Sequence, residues 1–375
     1  MPDQTEQPAP ARALNVAVDV RTWGMSGLGT YMAELLAAMG RIGAPIDWTM
    51  IGPSEVREQL PAGIDPARWI ELRAPIYDLG PVFHYPKLAG VDVWHYPHYN
   101  LPLRWSRRSV VNVFDLFHWR YGSWPKRRYM GLFLRRLRMG RGMILTACEK
   151  TRQELTELWR IRPERVLNVP LGPGRRPPAA RPAAVEVKSL AGTPLRGPWF
   201  LSLGIDQRHK NFDFVLSALS MYYQRRPDAP PFIWSGLRDD EYERRARRMP
   251  AWLRDRIGLE PYDSAERMEG LLAGAAALVF PSLDEGFGLP PLEAMGRGVP
   301  VLCSRREPMT TILGDAPLYF EPTESASLWR VFDRLLDSPT IRQEVVRRGL
   351  AQAARYDWEL TARKMVEIYT LVAGK

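Results

Sequence analysis

Only two cysteines, Cys148 and Cys303, occur in 375 residues. They fall on expected strands of different halves, which argues against a disulfide scaffold and suits a reduced, cytoplasmic compartment. No apolar run approaches the ~20 residues needed to cross a bilayer. Cys-x-x-Cys and His-Glu-x-x-His spacings are missing, which removes the common zinc sites. No repeat period is visible. The turn from Gly24 to Gly29 lacks the Gly-x-Gly-x-x-Gly pattern with an acidic residue ~20 positions later, so a nicotinamide-dependent oxidoreductase is excluded. At 45% hydrophobic content the chain is long enough for two domains with full cores.

Acidic residues are fewer than basic ones, 42 against 52, for a net charge of +10, and the excess is uneven. From Arg104 to Arg141 eleven Lys and Arg residues face one acid, Asp115, and Trp105, Trp119, Trp124, Tyr129, Leu132 and Phe133 are interleaved with them. A basic helix with such neighbours suits an anionic membrane surface, at about 1 kcal/mol per cation near lipid. It equally fits a solvated face of an amphipathic helix. No nucleic-acid module accompanies the charge, so nucleic acid is not an expected partner. Met1 to Arg12, rich in Pro and Gln, reads as a disordered tail and not as a signal peptide. Residues 173–197, rich in Pro, Ala and Arg, read as a linker and surface loop.

The most informative stretch is Pro281 to Pro300. Ala275 to Phe280 is a short apolar run of the buried-parallel-strand kind, and Leu292 to Gly296 favours a helix that Gly298 and Pro300 end. In open α/β sheets ligands sit beyond the carboxyl ends of strands. Glu285 and Glu293 would flank that crevice, while Gly286 and Gly288 let backbone approach a ligand closely. Helix-start N–H groups suit anionic oxygens, and two carboxylates accept hydrogen bonds from sugar or ribose hydroxyls. A second strand-to-helix turn follows Leu201 to Gly204 and holds Arg208, His209, Lys210 and Asn211. Cations at a helix start suit a diphosphate.

The string Glu285-Gly-Phe-Gly-Leu-Pro-Pro-Leu-Glu293-Ala-Met resembles the E-x(7)-E signature of retaining nucleotide-sugar glycosyltransferases with the GT-B fold, in particular family four. The resemblance runs from about Leu14 to the carboxyl terminus. It implies an α/β protein of two Rossmann-like, doubly wound domains facing across a cleft: residues 13–172 for the acceptor, 198–350 for the nucleotide sugar, and 351–375 as a helix crossing back to the first domain. It further implies that Glu285 contacts the donor sugar and Glu293 the ribose, within a donor loop that includes Gly286, Phe287, Gly288 and Leu289. Gly204, Lys210 and Asn211 match the family's diphosphate loop. The family's arginine position is His209 here, with Arg208 one place earlier, and either can take that role.

Leu14 to Asp19 reads as a first strand, and Ser26-Gly27-Leu28-Gly29-Thr30-Tyr31 resembles the family's Gly-Ile-Gly-Arg-Tyr turn, so Gly27 and Gly29 would lie against the donor phosphates. Val91 to Tyr99 and Val110 to Leu116 resemble the Asp-x-x-His-x-Pro and His-Asp-Leu strand ends. Phe114 stands where the family has its acceptor-handling histidine, which leaves Asp115, His118 or His98 to replace it. Thr310-Thr311 replaces the usual Pro-Glu.

The resemblance implies transfer of a hexose with retention, mannose from GDP-mannose by likeness to bacterial mannosyltransferases, onto a glycan or lipid-linked acceptor in surface polysaccharide synthesis. The expected partners are the donor, the acceptor and an anionic membrane touched peripherally, at the inner face of the plasma membrane. No Asp-x-Asp is present, Lys210 and its neighbours can supply the charge, and no metal or cofactor is required. The alternative is a non-catalytic sugar-nucleotide-binding or assembly protein, favoured by Phe114.

Overall fold

A computed structural model describes residues 12–103, 105–174, 185–204, 207–236, 244, 247, 249–261 and 264–374. The expected tail, apart from Arg12, lies outside the described residues, as do Arg104 and residues 175–184 of the expected linker. The chain divides into two compact units, Met1–Pro170 with Trp358–Lys375, and Leu171–Asp357.

The first unit is built on a parallel sheet of seven strands: β1 (Leu14–Asp19), β2 (Ile46–Gly52), β3 (Pro66–Glu71), β4 (Val93–Tyr96), β5 (Ser109–Asn112), β6 (Met143–Thr146) and β7 (Val166–Asn168). Their order is β3-β2-β1-β4-β5-β6-β7, so the direction of winding reverses between β1 and β4. Val16, Ala17 and Val18 are buried on both faces of β1, as a central parallel strand requires. Helix α1 (Ser26–Arg41) buries Tyr31, Met32, Leu35, Leu36 and Met39 at helical spacing. Helix α2 (Trp124–Met139) buries Met130, Phe133, Leu134 and Leu137 in the same way.

The second unit holds a parallel sheet of six strands: β10 (Trp199–Leu203), β11 (Phe232–Ser235), β12 (Ile257–Glu260), β13 (Ala275–Phe280), β14 (Val301–Ser304) and β15 (Leu318–Phe320), in the order β12-β11-β10-β13-β14-β15. Its longer helices are α3 (Phe212–Arg225), α4 (Ala265–Ala273), α5 (Leu289–Gly296), α6 (Ser325–Asp337) and α7 (Pro339–Ala353). Phe200 stacks on Phe332 at 4.2 Å, and Phe212 meets Trp234 edge-on at 4.4 Å. All four rings are buried, and each such side chain contributes roughly 1.5–3 kcal/mol through removal from water.

Part of the expected linker is ordered structure. β8 (Val187–Lys188) and β9 (Pro194–Leu195) form an antiparallel hairpin, whose turn is closed by Ser189 Oγ accepting from the Ala191 and Thr193 amides. Leu190 N–H donates to the Ile257 carbonyl, so the hairpin sits on β12 and buries Val187. The alternation that would have shown this strand pair is too short to stand out beside the Pro-rich residues. Residues 351–357, expected to begin the last helix, belong to the second unit, and α7 continues to Ala353. The last helix, α8 (Trp358–Ala373), returns to the first unit, where it packs along α1 with Trp358 against Tyr31. Cys148 is not on a strand: it lies just past β6, at the start of a short helix, whereas Cys303 is on β14, and both thiols are free and buried.

Candidate active site

The reversal of winding in the second unit falls between β10 and β13, so the two loops singled out in the sequence leave neighbouring strand ends. Phe280 ends β13 and Leu203 ends β10. Gly204 follows with φ +138° and packs on the stem of Lys210, while Gly236 lies against the Gly204 backbone. A side chain at Gly204 would strain the backbone and press on that stem. A turn of 3-10 helix carries Arg208, His209 and Lys210, and Asn211, in the left-handed conformation (φ 59°), opens α3.

Three contacts join the two loops. Lys210 Nζ lies 2.7 Å from Glu285 Oε1, with the side chains only 16% and 10% exposed. Leu283 N–H donates to the His209 carbonyl at 2.7 Å. Asn211 Nδ2 donates to the carbonyls of Pro281 and Pro322, at 3.3 and 2.8 Å. Lys210 Nζ also stands 5.5 Å from the centre of the Phe280 ring, a cation–π distance. A carboxylate and an ammonium are thereby fixed side by side at the strand ends.

His209 is buried, and burial foremost, with Lys210 nearby, holds its imidazole below the usual range. It is a neutral brace, and Arg208 beside it is exposed. Asn211 also works as a brace, through the carbonyls it holds. Phe287 packs edge-on against Tyr356, and Gly288 (φ +94°) turns the chain into α5, which begins at Leu289. Glu293 on α5 accepts from the Gly174 amide at 3.2 Å, whereas Glu285 is held by Lys210.

The first unit repeats the arrangement between β1 and β4. Asp19, at the end of β1, is fully buried; its Oδ2 accepts from Arg21 Nη2 (2.7 Å), Tyr85 Oη (2.9 Å) and His98 Nε2 (3.3 Å). Its Oδ1 accepts from the Arg21 amide at 3.1 Å. Burial alone would raise the Asp19 pKa, but the His98 and Arg21 contacts outweigh it and hold the carboxyl well below the usual range. His98 Nδ1 accepts from the Asn100 amide at 3.1 Å, so its proton is on Nε2 and both nitrogens are engaged. His98 therefore offers no free nitrogen to an acceptor. His95 is likewise held, between Asn112 Oδ1 and Tyr369 Oη.

Sequence reasoning missed the Asp19 cluster, whose only local signal is Asp19-Val-Arg21 at a strand end. Gly27 faces open space, whereas a Cβ at Gly29 would come within 2.8 Å of the Thr22 carbonyl oxygen, so only glycine fits there. Phe114 packs on Tyr31 at 4.8 Å. Asp115 Oδ1 accepts from the Phe117 amide at 2.9 Å, which caps the short helix carrying His118. His118 is partly exposed, its Nδ1 is engaged by the Tyr99 hydroxyl, and no described residue hydrogen-bonds its Nε2.

Residues 191–352 match the family model described as Glycosyl transferases group 1. The chain is 29% identical over 294 residues to O-antigen chain mannosyltransferase B of Escherichia coli, across 75% of this chain and 74% of that protein. It is 27% identical over 231 residues to the serotype-specific mannosyltransferase WbdA of Escherichia coli, which takes in 60% of this chain but only 28% of that longer protein. Sucrose-phosphate synthase of Thermosynechococcus elongatus shares the fold, with TM-score 0.70 at 18% identity over 96% of this chain and 100% of its own. The architecture is thus the GT-B one, two α/β units each on a parallel sheet, and it is residues 191–352, which contain both braced loops, that match the group 1 glycosyl transferases.

Proposed function

We propose that this glycosyltransferase moves a hexose from a nucleoside diphosphate sugar to a glycan or lipid-linked acceptor with retention at the anomeric carbon. The observation that carries this is the Lys210–Glu285 pair at the β10/β13 strand ends, where a cation and a hydroxyl-accepting carboxylate are held within 2.7 Å. Mannose carried by GDP is the donor favoured, because two similar proteins are named mannosyltransferases.

Lys210 and Arg208 would hold the diphosphate, and their effect on rate grows as the leaving oxygen gains charge. Glu285 would accept hydrogen bonds from the sugar, leaving its lysine partner to the phosphate. Glu293 would take the ribose, exchanging the Gly174 amide for hydroxyls. Gly286, Phe287, Gly288 and Leu289 would shape the donor loop, and Gly27 and Gly29 a second ligand-facing turn. Asp115 and His118 would serve the acceptor. No step here requires a metal or cofactor.

A membrane role fits helix α2. Trp124, Arg128, Leu132, Arg135 and Met139 follow one another at four-, four-, three- and four-residue steps and so share one face, opposite the buried one. Trp124, Leu132 and Met139 are 69%, 56% and 77% exposed. Apolar side chains alternating with arginines suit an anionic lipid surface at the cytoplasmic side of the plasma membrane. Arg136 is not part of this face: its guanidinium donates to the Leu101 and Pro102 carbonyls.

Phe114 favours one rival, a protein that binds the sugar nucleotide without turning it over. Calorimetry with GDP and UDP addresses the shared donor site: Glu293→Ala should bind about tenfold more weakly, the loss of a charged hydrogen-bond partner. Unchanged affinity would remove the ribose role.

A further inference from the structure

An aromatic cluster on the first unit has no part in the roles above beyond its contact with His118. Tyr77, 42% exposed, stands 5.5 Å from the His118 ring, 6.4 Å from Tyr99 and 6.5 Å from Tyr129. Beneath it the backbone is tied down. Asn100 Nδ2 donates to the Ile76 carbonyl, Asn100 Oδ1 accepts from Tyr129 Oη at 2.7 Å, and the Asn100 amide donates to His98, which is pinned by Asp19. The ring is therefore preorganised by a buried network reaching the β1/β4 strand ends.

We propose that Tyr77, with Tyr99, His118 and Asp115 around it, is a platform for a hexopyranose ring of the acceptor. The proposal rests on the transferase reading for the word acceptor, but not for the platform. A pyranose has one face of C–H groups and a rim of hydroxyls, which matches an open aromatic face edged by polar groups. His118 Nε2 is the ring nitrogen left to meet a hydroxyl. Burial first, then the Asp115 charge for Tyr77 and the neighbouring Tyr77 for Tyr99, pushes both phenols up, so both remain protonated at neutral pH. A nucleobase fits less well. The neighbouring rings meet Tyr77 at 46° to 74°, so none of them supplies the second parallel face of a base sandwich.

Saturation-transfer NMR on the full chain, with methyl α-D-mannopyranoside and methyl α-D-glucopyranoside as probes, tests the platform. The ring C–H protons of at least one probe should receive saturation. Tyr77→Ala should weaken that binding about threefold to tenfold, the range of one aromatic contact, while Tyr77→Phe should stay within about twofold. Nucleotide affinity, measured by calorimetry, should be the same in all three proteins, and Tyr77→Phe, which keeps the ring, controls for the folding of the first unit. The platform is overturned if neither glycoside receives saturation from the unmodified chain, or if Tyr77→Ala binds as the unmodified chain does. Failure of the unmodified chain to bind any nucleotide sugar would instead fall on the transferase reading and leave the platform standing.

Discussion

Replacing Lys210 with Met removes the cation at the β10/β13 strand ends while keeping most of the stem that packs on Gly204. Breaking a fully buried ion pair by deleting one partner costs about 3–5 kcal/mol, because the other charge stays dry. Here the side chains are 16% and 10% exposed. Some water reaches the stranded Glu285, so the cost should be about 2–3 kcal/mol. Glu285→Gln should cost less, about 1–2 kcal/mol, since the amide oxygen still accepts from the ammonium. The double variant leaves no unpaired charge and should return to within about 1 kcal/mol of the unmodified protein. Amide exchange of β10 and β13 reads this cycle at the affected strands. Turnover of the nucleotide sugar should behave differently. Lys210→Met and the double variant should both fall by about 100-fold or more, because the charge that meets the departing diphosphate is gone in each. Recovery of turnover in the double variant, along with stability, would show that the pair only holds the two loops together. Unchanged exchange in Lys210→Met would show that the pair holds nothing.

Two other predictions concern the first unit. Anionic vesicles should float with the protein at physiological salt, and changing Trp124 and Leu132 to Ser with Arg128 and Arg135 to Gln should abolish flotation while nucleotide binding in the other unit is retained; an unmodified protein that stays at the bottom of the gradient would end the membrane proposal. Arg136→Gln should instead lower stability, by about 1–2 kcal/mol, through the lost Leu101 and Pro102 contacts. Burial holds His95 at about 4 against an ordinary 6.5. The unfolded chain takes up that proton first, so stability is full above pH 6.5 and falls as pH drops toward 4. At pH 5 the loss from His95 alone is roughly 2 kcal/mol. His98, His118 and His209, lowered mainly by burial, act in the same direction. Urea midpoints at pH 7 and pH 5 should therefore differ, and His95→Asn should shrink the difference; equal differences in the two proteins would refute the assignment.

The strands at both switch points were legible because their signals are local. Ala275 to Phe280 is one uninterrupted apolar run, and Gly204, Asn211 and Gly288 mark the three left-handed backbone positions where the loops turn. The position of Lys210 was legible, but its pairing with Glu285, 75 residues away, was not. The Asp19 cluster draws its partners from 66 and 79 residues downstream, so only the folded sheet brings them together. Arg136 looked like its basic neighbours until the helix phase turned it toward two carbonyls. The hairpin from Val187 to Leu195 was hidden by its own brevity and by the Pro-rich residues before it.

The measurement that bears most directly on the whole account is a proton NMR time course of the full chain with GDP-mannose and a mannoside acceptor, observed at the anomeric protons. The account predicts loss of the α-configured donor signal, release of GDP and growth of an α-configured product. A β-configured product would contradict retention. No release of nucleoside diphosphate from GDP-mannose or from any other nucleotide hexose tried would contradict the transferase itself.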